Sequence, residues 1–321
     1  GPPSRTWSLL GARSLMTTDC RLHTADTADG SASGERGYLR RMTDARARSG
    51  AGNGEDPDVP PDGYPGEQPR DGRVVVFLGV AGGVGTTTLC ANTAQALGAL
   101  GRTLILDLAW PLGGLGHLLS APTLPGIERL TNGLSGPECL ERQLAGGDGT
   151  GLRFRFLTGY HDFNPTEHAN AGPQPLIRSA RALADYVLVD LGSPAGPYAS
   201  CVAESADLAV VTMALERTQL AQARALLRWL DELGLSKNRR VLVGNRLRPS
   251  LLGLREAQRC LGEGIFLIVP NESDRLAQCL NEGRLLISQH PDSAGAVAIA
   301  ELAAALNRQL ACATPLSGEV P

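Results

Sequence analysis

Gly82, Gly83 and Gly85 stand in a short loop between the β-branched run Val74–Leu78 and the pair Thr87-Thr88. A loop that leaves a strand and opens a helix turns backbone N–H groups and the positive end of the helix dipole toward one point, where an anion can sit. Glycines let the backbone come close, and a hydroxyl at Thr87 is the kind of group that ligates Mg²⁺ beside a phosphate. The chemistry this implies is polyphosphate binding by Gly82, Gly83, Val84, Gly85, Thr86, Thr87 and Thr88. The same residues could also form a tight strand-to-helix turn with no ligand; strand, glycines, threonines and helix together favour the anion site. The loop lacks a cation. Position 86, where such loops carry lysine, is threonine, and the chain's single lysine is Lys237.

Asp107 and Asp190 each end an apolar strand run, where ligands gather in doubly wound sheets. Each could instead cap a loop or the following helix. Asn245 precedes Arg246 and reads equally as a ligand or a turn residue. Arg239-Arg240 and Arg246-x-Arg248 could touch phosphate or an acidic partner, but read better as solvated loop cations. The five histidines show no metal-ligand spacing, and the seven cysteines no C-x-x-C, so buried free thiols are expected.

The elements that would position these residues alternate along the chain. Strands are expected at Val74–Leu78, Thr103–Leu108, Leu152–Leu157, Tyr186–Leu191, Leu208–Thr212, Arg240–Gly244 and Ile265–Val269, mostly as continuous apolar runs. Helices are expected at Thr87–Leu100, Arg217–Leu233, Leu251–Leu261, Ser273–Glu282 and Ala294–Cys312. The fold class is α/β, a doubly wound and mostly parallel sheet with helices on both faces. In the helix Arg217–Leu233 the leucines suit either core packing or a dimer face.

Residues 1–72 are rich in Gly, Pro, Asp and Arg, and read as a disordered arm before a domain at 73–312 and a flexible tail at 313–321. The chain begins with Gly1, and Met42 is a candidate native start. An apolar share of 42% fits a folded core, whereas a net charge of −3 argues against affinity built on nucleic-acid phosphates. No apolar run approaches the roughly 20 residues that span a bilayer. Without a continuous apolar segment near the start, no secretory signal is expected, and the free thiols fit a cytoplasmic location, which is the expectation.

The segment AGGVGTTTLCANTAQALGALGRTLILDLAW resembles the opening of the ParA/MinD family of deviant Walker-A ATPases, whose loop runs K-G-G-x-G-K-[ST]-T. The likeness continues collinearly from Arg73 to about Cys312. ADYVLVDLGSP is similar to the family's second acidic strand end, VLVGNRL to its adenine-reading Asn-Arg pair, and AVVTMALERTQLAQARALLRWLDELGL to its dimer-side strand and helix. The resemblance implies a P-loop NTPase fold, ATP or ADP with Mg²⁺ as cofactors, and a homodimer. It assigns Mg²⁺ to Thr87 and Asp190, the nucleotide's base to Asn245 and Arg246, a further nucleotide contact to Pro270, and a catalytic candidate to Asp107.

Three departures bear on chemistry. The family's dimer-crossing lysine is Ala81, its phosphate lysine is Thr86, and the second Asp of its D-x-D switch is Ala109. Losing one charge-assisted hydrogen bond, about 1.5–3 kcal/mol, weakens phosphate binding roughly ten- to a hundredfold. Losing a cation at the transferring phosphate costs about 10³–10⁵ in rate. Binding can outlast such losses where hydrolysis cannot, unless an arginine such as Arg246 or one from a partner chain substitutes.

The Thr-for-Lys loop most resembles the CpaE/TadZ branch, implicated in placing Tad (Flp) pilus machinery, with a related group named for septum-site determination. Three functions are therefore weighed. The first is a nucleotide-binding scaffold that localises a pilus or secretion complex with little or no hydrolysis. The others are an active partition- or septum-type ATPase, and a nucleotide-free pseudo-ATPase acting through protein contacts. The C-terminal text is too weakly basic for a direct membrane anchor, so recruitment to a pole or membrane would go through protein partners, and DNA is disfavoured.

Overall fold

The computed structural model of the chain describes residues 71–121, 126–127, 136–160, 172–247 and 252–312. The expected arm, but for Asp71 and Gly72, and the tail lie outside the described residues, as do His161 and His168.

The elements run β1 (Arg73–Gly79), α1 (Thr86–Leu97), β2 (Thr103–Asp107), α2 (Leu115–Leu118), α3 (Pro137–Glu141), β3 (Ala145–Gly146), β4 (Arg155–Leu157), α4 (Gln174–Leu183), β5 (Tyr186–Gly192) and α5 (Ala199–Glu204). They continue with β6 (Leu208–Met213), α6 (Arg217–Glu232), β7 (Arg240–Leu247), α7 (Leu254–Leu261), β8 (Leu267–Pro270), α8 (Ser273–Asn281), α9 (Leu286–Gln289) and α10 (Ala294–Cys312). The strands form one sheet in the order β3-β4-β2-β5-β1-β6-β7-β8, parallel throughout except for the β3–β4 pair. β1 is central, and the chain moves to one side of it and then the other, which places a crevice at its carboxyl end.

The pleat explains why the strand text is continuously apolar. Val74, Val76 and Leu78 of β1 face one helical layer, with Ile177 of α4, Val202 of α5 and Leu226 of α6. Val75 and Phe77 face the other, against Leu89 and Leu97 of α1 and Leu302 and Leu306 of α10. Both faces of β1 are therefore dry, as the parallel-sheet reading requires. Leu220, Leu226, Leu227 and Leu230 of α6 are all buried in the first of these cores, so core packing accounts for them.

Several boundaries differ from expectation. Leu152 and Arg153 do not join the sheet, because the Arg153 N–H donates to Gln95 Oε1 at 2.9 Å instead of to a neighbouring strand. α1 stops at Leu97 because the Leu100 and Gly101 N–H groups both fold back onto the Leu97 carbonyl. The helices α2, α3, α4, α5 and α9 and the short β3 depart from the sequence expectation; α4 opens on Gln-Pro, which reads as a breaker but is tolerated in a first helical turn.

Arg240 is buried and Arg239 half-buried, and neither is a free loop cation. Arg239 donates to the Ala206 and Asp207 carbonyls, and Arg240, only 5% exposed, is held by Glu263 and Asp231 and by the Leu227 and Leu235 carbonyls. Of the cysteines, Cys90 and Cys279 are buried as expected, whereas Cys260 and Cys312 are exposed.

Candidate nucleotide site at the carboxyl end of the sheet

The loop after β1 leads through Gly85 into α1. Gly85 has φ 92°, a left-handed conformation that glycine adopts without strain, and it forms the N-cap of the helix. No side chain caps this end and no acidic residue occupies the first turn. The first N–H groups of a helix have no partner within it, so here they remain as donors for an anion. A Cβ built on Gly82 or Gly83 meets nothing within 4 Å, so the space in front of the loop is open. Thr86 turns the other way. It is buried, and a Cβ on Gly79 would stand 2.3 Å from its hydroxyl, so the hydroxyl packs under the loop against the end of β1.

Asp107 and Asp190 are paired in register across β2 and β5, and both are fully buried. Their surroundings differ. Asp107 Oδ1 accepts the Ala109 N–H at 3.1 Å, Oδ2 accepts the Leu115 N–H at 2.9 Å, and the Gly159 N–H adds a third backbone donor. Gly113 and Gly159 close over it, since a Cβ on Gly113 would lie 2.6 Å from Asp107 Oδ2 and 2.5 Å from the Gly159 Cα. Burial and then the charge of Asp190 push the Asp107 carboxyl up to about 7, against the pull of those N–H groups.

Asp190 Oδ1 accepts the Gly192 N–H at 2.9 Å, and the Thr87 hydroxyl also donates to this carboxylate. Its Oδ2 is buried with no hydrogen-bond partner. Burial raises the Asp190 carboxyl above the ordinary carboxylate range. An orphaned carboxylate oxygen costs free energy unless something positive meets it. With Thr87 bonded to the same side chain beside the uncapped helix, Thr87 and Asp190 fit as the residues that would hold a divalent cation next to a bound phosphate. Among the described residues no cluster of three or more His, Cys, Asp or Glu could hold a metal by side chains alone, so such a cation would depend on the phosphate.

Asn245 and Arg246 reach the loop from β7. The pairing of β7 with β8 slips between Gly244 and Leu247, and the extra residue forms a bulge. Asn245 Nδ2 donates to the Val84 carbonyl at 2.7 Å, and its Oδ1 accepts the Arg246 N–H at 2.9 Å. Asn245 is thereby a strut between β7 and the phosphate loop. Sequence reasoning missed this strut, because nothing in the sequence of either segment indicates that they touch. Pro270 ends β8 in register with Leu247. Ala109 is buried and faces Gly192, whose added Cβ would lie 3.2 Å from the Ala109 Cβ.

No protein-family model and no curated protein matches the chain in sequence. Solved structures do match in three dimensions. A ParA family ATPase from Chlorobium tepidum superposes with a TM-score of 0.64 at 23% identity, covering 72% of this chain and 98% of that one. The septum site-determining protein MinD of Pyrococcus horikoshii, solved with Mg-ADP, gives 0.63 at 20% identity, covering 77% and 99%. A Cyanothece McdA variant in complex with ATP gives 0.59 at 18% identity, covering 77% and 100%. The described domain thus has the fold of ParA/MinD-type P-loop ATPases.

Proposed function

We propose that this chain is a nucleotide-binding positioning scaffold that holds Mg-ATP or ADP with little or no hydrolysis. The observation that carries the reading is the unpartnered, fully buried Oδ2 of Asp190 beside Thr87 and an uncapped helix N-terminus. Gly82, Gly83, Val84, Gly85, Thr86 and Thr88 would present the loop backbone to the phosphates, with Asn245 and Pro270 on the base side. Mg²⁺, held by Thr87 and Asp190, would neutralise phosphate charge and orient the terminal phosphate.

Weak hydrolysis follows from what this chain's residues can do. Thr86 and Ala81 supply no charge, and Ala109 has no carboxylate to orient a water. Asp107 does not replace it. Its oxygens are occupied by the N–H groups of Ala109, Leu115 and Gly159, so it serves to shape the Ala109–Leu115 loop. The neighbours known with Mg-ADP and with ATP support nucleotide as ligand, and the MinC:MinD complex of Aquifex aeolicus supports protein partners for such a fold. By the likeness of its Thr86 loop to the CpaE/TadZ branch, the scaffold dimerises and localises a pilus or secretion complex from the cytoplasmic side. Among the described residues no helix is long and apolar enough to cross a membrane.

Calorimetry with Mg-ATP on the wild type and on a Thr87→Ala, Asp190→Ala double variant, with phosphate release followed in the same samples, tests this. Binding by the wild type alone without phosphate release is the expected result. Turnover that disappears in the variant would refute the weak-hydrolysis half, and no wild-type binding would refute the whole.

A further inference from the structure

We infer that Arg246 supplies, for binding, the polyphosphate-contacting cation that Thr86 withholds, an assignment that rests on the nucleotide-binding reading above and leaves its weak-hydrolysis half on Ala109, which has no carboxylate to orient a water. Arg246 occupies the β7 bulge with φ 56°, one of only two non-glycine residues of positive φ among the described residues. Glycine adopts that conformation freely, whereas an L-side chain does so at a cost, and such costs gather at functional sites. Bulges beside active sites re-aim side chains, and this one aims at the phosphate loop: a Cβ on Gly85 would lie 3.8 Å from Arg246 Nε.

The guanidinium is exposed and, among the described residues, has neither hydrogen bond nor ion pair. The contrast with other cations is informative. Arg73, Arg181, Arg239 and Arg240 lie at or against the amino ends of the strands and are engaged by Asp207, Glu263 or backbone carbonyls. Lys237, the chain's one lysine, precedes β7 at that same far end. Arg246 is instead tied to the loop through Asn245, whose amide bonds both the Arg246 N–H and the Val84 carbonyl. An unpaired planar guanidinium whose backbone is tied at the lip of an open, uncapped anion site has the chemistry to take phosphate oxygens.

This role differs from contact with the base, and a ligand series separates the two. Affinities for adenosine, ADP and ATP with Mg²⁺ are measured at one ionic strength on the wild type and on Arg246→Ala, Arg246→Lys and Arg246→Gly. The alanine variant is expected to weaken ADP and ATP about tenfold or more and adenosine less than about twofold, with lysine recovering part of the loss. Arg246→Gly should lose the same affinity while its Tm rises by about 2–4 °C, because glycine relaxes the backbone. Equal losses for all three ligands, unchanged affinity in Arg246→Ala, or a lowered Tm in Arg246→Gly would overturn the assignment alone. A wild type that binds no ATP would overturn the reading beneath it as well.

Discussion

Two carboxylates side by side in a dry interior, Asp107 and Asp190, set the electrostatics of the crevice. The folded protein raises both above their ordinary range, Asp107 to about 7, whereas an Asp in the unfolded chain titrates near 4. The folded state therefore binds protons more tightly than the unfolded one. The sign follows: stability from this pair is fully present at low pH and is lost as pH rises through about 7. Without nucleotide, Tm should fall between about pH 5.5 and about pH 8 more steeply in the wild type than in Asp190→Asn, where the repelling charge is gone. Parallel slopes, recorded by calorimetric melting, would show that Asp190 contributes nothing to the pH dependence of stability.

At the scale of elements, the site depends on loops that meet through glycine. Gly113 and Gly159 are in backbone contact above Asp107. Gly113→Ala should cost about 1–3 kcal/mol, measured by urea unfolding, because the added methyl has only main chain and a carboxylate to displace. Much of the architecture was legible beforehand. Val74–Leu78 and Leu208–Thr212 read as buried parallel strands because helices cover both faces, and the glycine loop read as an anion site because strand, loop and helix are contiguous in sequence. The strut from Asn245 to Val84 and the bulge that bends Arg246 were not legible, since both depend on the register between β7 and its neighbours. The burial of Arg240 was missed for a related reason: charge alone predicts exposure, and only the tertiary fold brings Glu263 and Asp231 to it.

Across the whole molecule, the phosphate-loop helix is a hub. Asn92 of α1 bonds the Ile287 N–H of α9, and Gln95 bridges Ser288 and the Gly151–Arg153 turn. A ligand that orders the loop thus acts on segments distant in sequence. Saturation at about 100 times Kd should add about 2.7 kcal/mol and raise Tm by roughly 5–10 °C, read by thermal shift with and without Mg-ATP. A flat response at that ratio would mean that the ligand also binds the unfolded chain. The two ends of the sheet carry another consequence. Among the described residues one border is the two-residue β3, and the other is the four-residue β8, which closes on Pro270 and its missing N–H. Short borders and a terminal proline are poor templates for strand addition. Any higher-order array of this protein would therefore be held together by helices and loop tips and not by a growing cross-strand ribbon, which would leave such an array free to come apart again.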